Sequence, residues 1–132
     1  MRLTDNFNLK EFERAGRKVP PELLSNVQRL AENLQRLRER LGRPVRIYSG
    51  YRTPDTNTGS KRSQHLLGKA ADIKVPGMSP EEVHAVILEM IKEGTMEAGG
   101  LGLYPDGVGR RIGFVHYDVR GRNARWRARE TA

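Results

Sequence analysis

Between Pro20-Pro21 and Gly42, apolar residues fall at Leu23, Val27, Leu30, Leu34, Leu37 and Leu41. Steps of three and four put all six on one stripe of an α-helix, and that stripe must be covered by something else in the chain. Gly42 supplies a C-terminal stop, and Pro44 prevents continuation. Single domains usually run to roughly 100–200 residues. Residues 1–132 are therefore read as one domain with one core, carrying a basic tail over about 120–132.

The cover for that helix has to come from short strands. Val45 to Ser49 reads as a strand, followed by Gly50-Tyr51-Arg52-Thr53-Pro54 and a polar stretch, Asp55 to Arg62, with the composition of an exposed loop. Ala70 to Val75 is a second strand, with Ala71, Ile73 and Val75 on one side and Asp72 and Lys74 on the other. Ser79-Pro80-Glu81-Glu82 announces a second helix: Ser79 can cap, Pro80 suits the first turn, and Glu82 completes a capping box. Val83, Val86, Ile87, Met90 and Ile91 form its apolar side. Gly99 to Tyr104 and Gly113 to Val119 read as two more strands, and Asn8 as the cap of a short helix with Leu9 and Phe12 on one side. Arg120 to Ala132 is an arginine-rich tail with Trp126 as an anchor. This order predicts an α+β domain: a small, mostly antiparallel sheet with flanking helices.

Composition narrows the chemistry. There is no cysteine, so any metal must be held by imidazole, carboxylate or water. No apolar run approaches the about 18 residues needed to cross a bilayer, and the opening residues contain no apolar export segment. The formal net charge of +8 favours anionic partners, although a solvated basic surface that aids solubility accounts for it as well.

Three histidines are present. His84 lies within the second amphipathic helix, where a surface or half-buried structural role is the simpler reading. His65 ends the polar loop, seven positions before Asp72 on its strand, and His116 sits on the last strand. Two neutral imidazoles and one carboxylate are the donor set of a catalytic zinc site, because three protein ligands leave a coordination position for water. Two histidines and an aspartate alone are weak support; their surroundings strengthen it. Ser63-Gln64-His65-Leu66-Leu67-Gly68-Lys69-Ala70-Ala71-Asp72 fits Ser-x-His-x-x-Gly-x-Ala-x-Asp.

That segment resembles the signature of the LAS-type zinc peptidases, the D-alanyl-D-alanine peptidases and related peptidoglycan amidohydrolases often called the M15 family. Ile47 to Pro54 is similar to the Ser-Gly-Tyr-Arg segment that precedes the motif in that family, and Gly102 to Pro105 with Gly113 to Gly121 resemble its final strand pair. The resemblance covers about Leu9 to Trp126 and is strongest to small single-domain members from phage endolysins. It implies a Hedgehog/DD-peptidase-like fold, one zinc ion per chain on His65, Asp72 and His116, and hydrolysis of amide bonds in peptidoglycan stem peptides or cross-bridges. Gly68 would turn the backbone between the first two ligands, and Ala70 would allow close packing. Ser63 could bond substrate backbone or support a ligand. Arg52 could pair with a substrate carboxylate or stabilise an oxyanion; its bland alternative is an exposed turn residue. Many relatives carry an acid or histidine two or three positions before the last ligand, but here those positions are Phe114 and Gly113. Asp118, two residues beyond His116 and on the same face, is the candidate catalytic base or, equally, a group that orients the ligand imidazole.

Two other functions compete. A noncatalytic zinc-containing cell-wall-binding module would keep the ligands and lack the base. A nucleic-acid binder would use Arg120, Arg122, Arg125 and Arg127, but aromatic residues are only 6% of the chain and no nucleic-acid motif is present. No specific nucleic acid is therefore expected. A monomer is expected, either cytoplasmic until released in the manner of a phage endolysin or acting at the bacterial cell wall.

Overall fold

A computed structural model describes residues 1–14, 16–57, 61–107 and 112–128. The long amphipathic helix is α1 (Leu24–Leu41), preceded by one 3-10 turn at Pro21–Leu23 and closed by Gly42. Its predicted stripe is the buried one: Val27, Leu30, Leu34 and Leu37 are each at most 1% exposed. α2 (Pro80–Glu93) starts as its sequence dictates, with Ser79 Oγ accepting from Glu82 N–H at 3.1 Å and Glu82 Oε1 accepting from Ser79 N–H at 2.9 Å. The short helix at Asn8 is a 3-10 turn over Leu9–Phe12, again with a capping box, from Glu11.

Five strands form one sheet: β1 (Arg46–Ser49), β2 (Ala70–Lys74), β3 (Gly100–Tyr104), β4 (Phe114–Asp118) and β5 (Ala124–Arg127), in the order β1-β2-β4-β3-β5. The first three pairings are antiparallel and β5 lies parallel to β3, giving the expected α+β architecture with a mostly antiparallel sheet. The sequence reading stopped at four strands and a tail. Residues 124–127 instead hop across the end of β3 and extend the sheet, with Trp126 in register with Gly102.

The sheet has two faces with different work. Ile47, Ala71, Ile73, Leu101, Leu103, Val115 and Tyr117 point inward and join the apolar faces of α1 and α2 in one buried cluster. Alternation then sends Asp72, Lys74, Phe114, His116 and Asp118 to the opposite face. Burying one face fixes the strand register, because a one-residue slip would exchange every core and outer side chain. On β1 the ladder carries a bulge: Ile47 pairs with Ile73 but Ser49 pairs with Asp72, leaving Tyr48 as the extra residue.

Candidate metal centre

Register brings the predicted ligands together. Asp72 on β2 is directly opposite His116 on β4. His65 arrives from a separate 3-10 turn, Gln64–Leu67, capped by Ser63, whose Oγ accepts from the His65 N–H at 3.2 Å. Gly68 ends this turn at φ 69°, a left-handed conformation that other residues adopt only with strain, and so the chain reverses from the His65 turn into β2. All three candidate ligands are buried, and one nitrogen or oxygen from each lies within 4.8 Å of the others. His84 stays on α2, half-buried and outside this group.

The hydrogen bonds around the imidazoles decide what the cluster can hold. His65 Nδ1 is 2.7 Å from the Gly50 carbonyl, which only accepts, so Nδ1 carries the proton and Nε2 presents a lone pair. That lone pair faces Asp72 Oδ1 at 3.2 Å. His116 repeats the pattern with its nitrogens exchanged: Nε2 meets Asp118 Oδ2 at 2.7 Å, and Nδ1 faces the same Asp72 Oδ1 at 3.1 Å. Two lone pairs and one anionic oxygen converging without a proton between them repel, unless both rings are doubly protonated or a cation lies among them. Ligands of a tetrahedral site with bonds of about 2.0–2.1 Å stand roughly 3.3 Å apart. The two imidazole–carboxylate separations, 3.1 and 3.2 Å, match, and all three atoms lie within 4.8 Å of one another. The donor set therefore fits a metal ion.

Each of the three side chains is held from behind. With both rings doubly protonated, burial pushes the Asp72 carboxyl up, but hydrogen bonds from His116 and His65 outweigh it and hold the group at about 2. Its other oxygen, Oδ2, accepts from Arg52 Nη2 at 3.0 Å, and Arg52 is itself tied to Ser49 Oγ at 3.0 Å and Asn57 Oδ1 at 3.3 Å. Burial lowers the proton affinity of His116, yet the Asp118 and Asp72 carboxylates more than reverse this and raise it.

Asp118 is fully buried. Its Oδ2 accepts from His116 and from Arg120 Nη2 at 2.7 Å; its Oδ1 accepts from Gly100 N–H at 2.8 Å, Arg120 N–H at 3.1 Å and Arg120 Nε at 2.9 Å. Burial alone would raise its pKa, but the bonds from His116 and Arg120 hold it well below the usual carboxylate range. This nest exists only because β3 begins with glycine: a Cβ on Gly100 would lie 2.1 Å from Asp118 Oδ2. Sequence reasoning named Asp118 but missed Arg120, which it placed in the tail. The signal was present as alternation, since Phe114, His116, Asp118 and Arg120 are successive outer positions of one strand and its extension.

β5 adds a further group. The Trp126 ring packs 4.9 Å from the His116 ring, sits over Gly102, and donates from Nε1 to Tyr104 Oη at 2.9 Å. Among the described residues, no helix is long and apolar enough to cross a membrane.

Comparison with known proteins agrees with this geometry. Residues 5–118 match the family model described as Peptidase M15. The peptidoglycan L,D-endopeptidase MepK of Escherichia coli K12 is 35% identical over 100 residues, covering 68% of this chain and 49% of that protein. The protein of the same name from Shigella flexneri matches equally, at 35% over 100 residues. The chain thus spans about half the length of the curated relatives it matches. No solved structure gives a significant match. With a family match running through the first four strands and taking in His65, Asp72 and His116, which could hold a metal ion, the chain belongs to the peptidase M15 family.

Proposed function

We propose that this chain is a zinc endopeptidase that hydrolyses amide bonds in bacterial peptidoglycan, in stem peptides or their cross-bridges. The observation that carries the reading is the convergence of His116 Nδ1 and His65 Nε2 on Asp72 Oδ1 at 3.1 and 3.2 Å, inside a chain of the M15 family. Two histidines and a carboxylate suit zinc and leave one position open. When bound, zinc supplies Lewis acidity and an acidified water.

The chain's own residues do the rest. The Gly50 carbonyl sets the tautomer of His65, and Asp118 sets that of His116. Asp118 is then a positioning residue: with both oxygens saturated and no exposed surface, it is poorly placed to take a proton from water. Arg52 holds Asp72 Oδ2 so that Oδ1 faces the rings. A guanidinium has five N–H donors and three of these are engaged, which leaves two for a substrate carboxylate or a developing oxyanion. Ser63 supports the His65 turn and retains a hydroxyl proton to offer substrate. Endopeptidase rather than D,D-carboxypeptidase action follows the activity in the printed name of the similar proteins. A net charge of +8 suits work at an anionic wall.

The saturation of Asp118, with Gly113 and Phe114 where many members of the family carry an acid or histidine, favours one second reading: a zinc-containing wall-binding module without catalysis. Mass spectrometry of peptides released from defined peptidoglycan separates the two. The zinc-loaded chain is expected to release cleaved peptides and His65→Ala none; no release by a wild type holding one zinc per chain leaves the binding module.

A further inference from the structure

Next to the metal centre, the outer face of the sheet carries a second row of side chains. The first row across the strands is Asp72, His116, Gly102 and Trp126, by direct register. Two residues along each strand, at about 3.4 Å per residue, a second row begins. It holds Arg46 opposite Lys74, and Phe114 opposite Tyr104. The bulge on β1 adds Tyr48 to it. The three rings stack in sequence, Tyr48 on Phe114 with centroids 5.8 Å apart and Phe114 on Tyr104 at 4.4 Å. Tyr48 is 51% exposed, unusual for a ring that could have been covered.

At its far end this row meets a cavity of about 450 Å³, lined by Tyr48, Phe114, Lys74 and Arg46 from the outer face, by Ile47, Ile73 and Val115 from the core face, and by Arg14. Its charge is one-sided. Lys74 Nζ stands 5.6 Å over the Tyr48 ring, and among the described residues neither Lys74 nor Arg46 reaches a carboxylate. Arg14 is turned to a backbone carbonyl, that of Ile47. Among the described lining residues one acid, Asp106, accepts from the Gly113 N–H at 2.7 Å and stands against three cations, so the lining is net positive. Aromatic faces beside unpaired cations bind a ligand that is apolar along its stem and anionic at its tip.

We infer that the Tyr48–Phe114–Tyr104 platform with Lys74 and Arg46 is a specificity subsite for a carboxylate-bearing residue of the peptide substrate, about two residues from the scissile bond. The inference rests on the peptidase reading above. The carboxylate pairs with Lys74 and Arg46, and the aliphatic part of the residue lies on Tyr48 and Phe114. An extended peptide advances about 3.4 Å per residue, so its reach from the metal row matches the row spacing. Such a subsite serves an enzyme that must hold peptide beyond the cleaved bond, as an endopeptidase does.

The test uses the zinc-loaded full chain and two synthetic cross-linked stem peptides, one with free carboxylates and one with them amidated. The wild type is expected to show a KM about tenfold lower for the free-carboxylate peptide, the worth of one charge-assisted hydrogen bond. Lys74→Gln combined with Arg46→Gln should raise that KM to the amidated level, leaving kcat and the amidated peptide unaffected. Tyr48→Ala should raise KM for both peptides. Equal effects of the double substitution on the two peptides, or none on either, overturn the subsite. If the wild type cleaves neither peptide, the peptidase reading fails, and calorimetric titration of the same peptides decides the subsite by itself. A preference for free carboxylates that disappears in the double variant upholds it, and equal affinities refute it.

Discussion

Replacing Asp118 by Asn separates the two roles open to this residue. The substitution keeps the shape of the side chain but turns one acceptor oxygen into an NH2 donor. Both oxygens of Asp118 face donors, Oδ2 towards His116 Nε2 and Arg120 Nη2, and Oδ1 towards Gly100 N–H and Arg120 Nε. Whichever way the amide is turned, one buried donor meets another. Loss of the partner that fixes a ligand imidazole typically weakens metal binding about 10–100-fold, or roughly 1.4–2.7 kcal/mol. Arg120 also loses its counter-charge in a largely buried place, a cost of about 3 kcal/mol to the fold. For a domain of this size that lowers Tm by about 10 °C. Competition with a chromophoric chelator gives the zinc affinity, calorimetry the Tm, and peptide release at saturating zinc the kcat. A proton-accepting Asp118 would give the opposite pattern, kcat falling about 10²–10⁴-fold with zinc affinity intact. Unchanged zinc affinity would refute the positioning role.

Two further substitutions probe the frame around the centre. Gly100→Ala places a Cβ 2.1 Å from Asp118 Oδ2 and 2.8 Å from Arg120 Nη2, groups pinned by their own bonds, so a destabilisation of about 1–3 kcal/mol is expected in urea unfolding together with weaker zinc binding. A variant as stable as the wild type, with the same affinity, would show that the nest yields. Glu97 is held below its ordinary value of 4.5, first by its hydrogen bond from Arg29 and also by Asn33, so its stabilisation is present above pH 4.5 and lost as pH falls through the lower folded-state value. The Tm difference between wild type and Glu97→Gln should accordingly be present at neutral pH and close on acidification; a gap independent of pH contradicts the assignment.

What could be read in the sequence was what is decided locally. The stripe of α1 and the Ser79–Glu82 box of α2 are set by neighbours three or four residues away, and both formed as read. His65 and Asp72 are bracketed by a dense motif whose Gly68 and Ser63 have visible local tasks. His116 was read from a strand segment resembling the family's last, and its place opposite Asp72 comes from the register of β2 and β4. What escaped depends on pairing between distant segments. β5 has one large apolar residue in Ala-Arg-Trp-Arg, too little to distinguish an edge strand from a basic tail, and its place is set by Gly102 leaving room for Trp126. The aromatic platform takes one ring from each of three strands, which only register assembles. Arg120 was read as one more tail cation, because its pairing with Asp118 depends on the strand continuing in alternation past Val119.

The bulge on β1 resolves a parity conflict. In a regular strand Tyr48 and Ser49 would point to opposite faces, so β1 could either anchor Arg52 through Ser49 or offer Tyr48 to the platform. One surplus residue removes the choice, and a four-residue edge strand supplies both. Substituting either side chain silences one contribution, whereas deleting a residue here would restore even spacing and return one of the two to the core face. Length at this point of the chain is therefore constrained more tightly than identity.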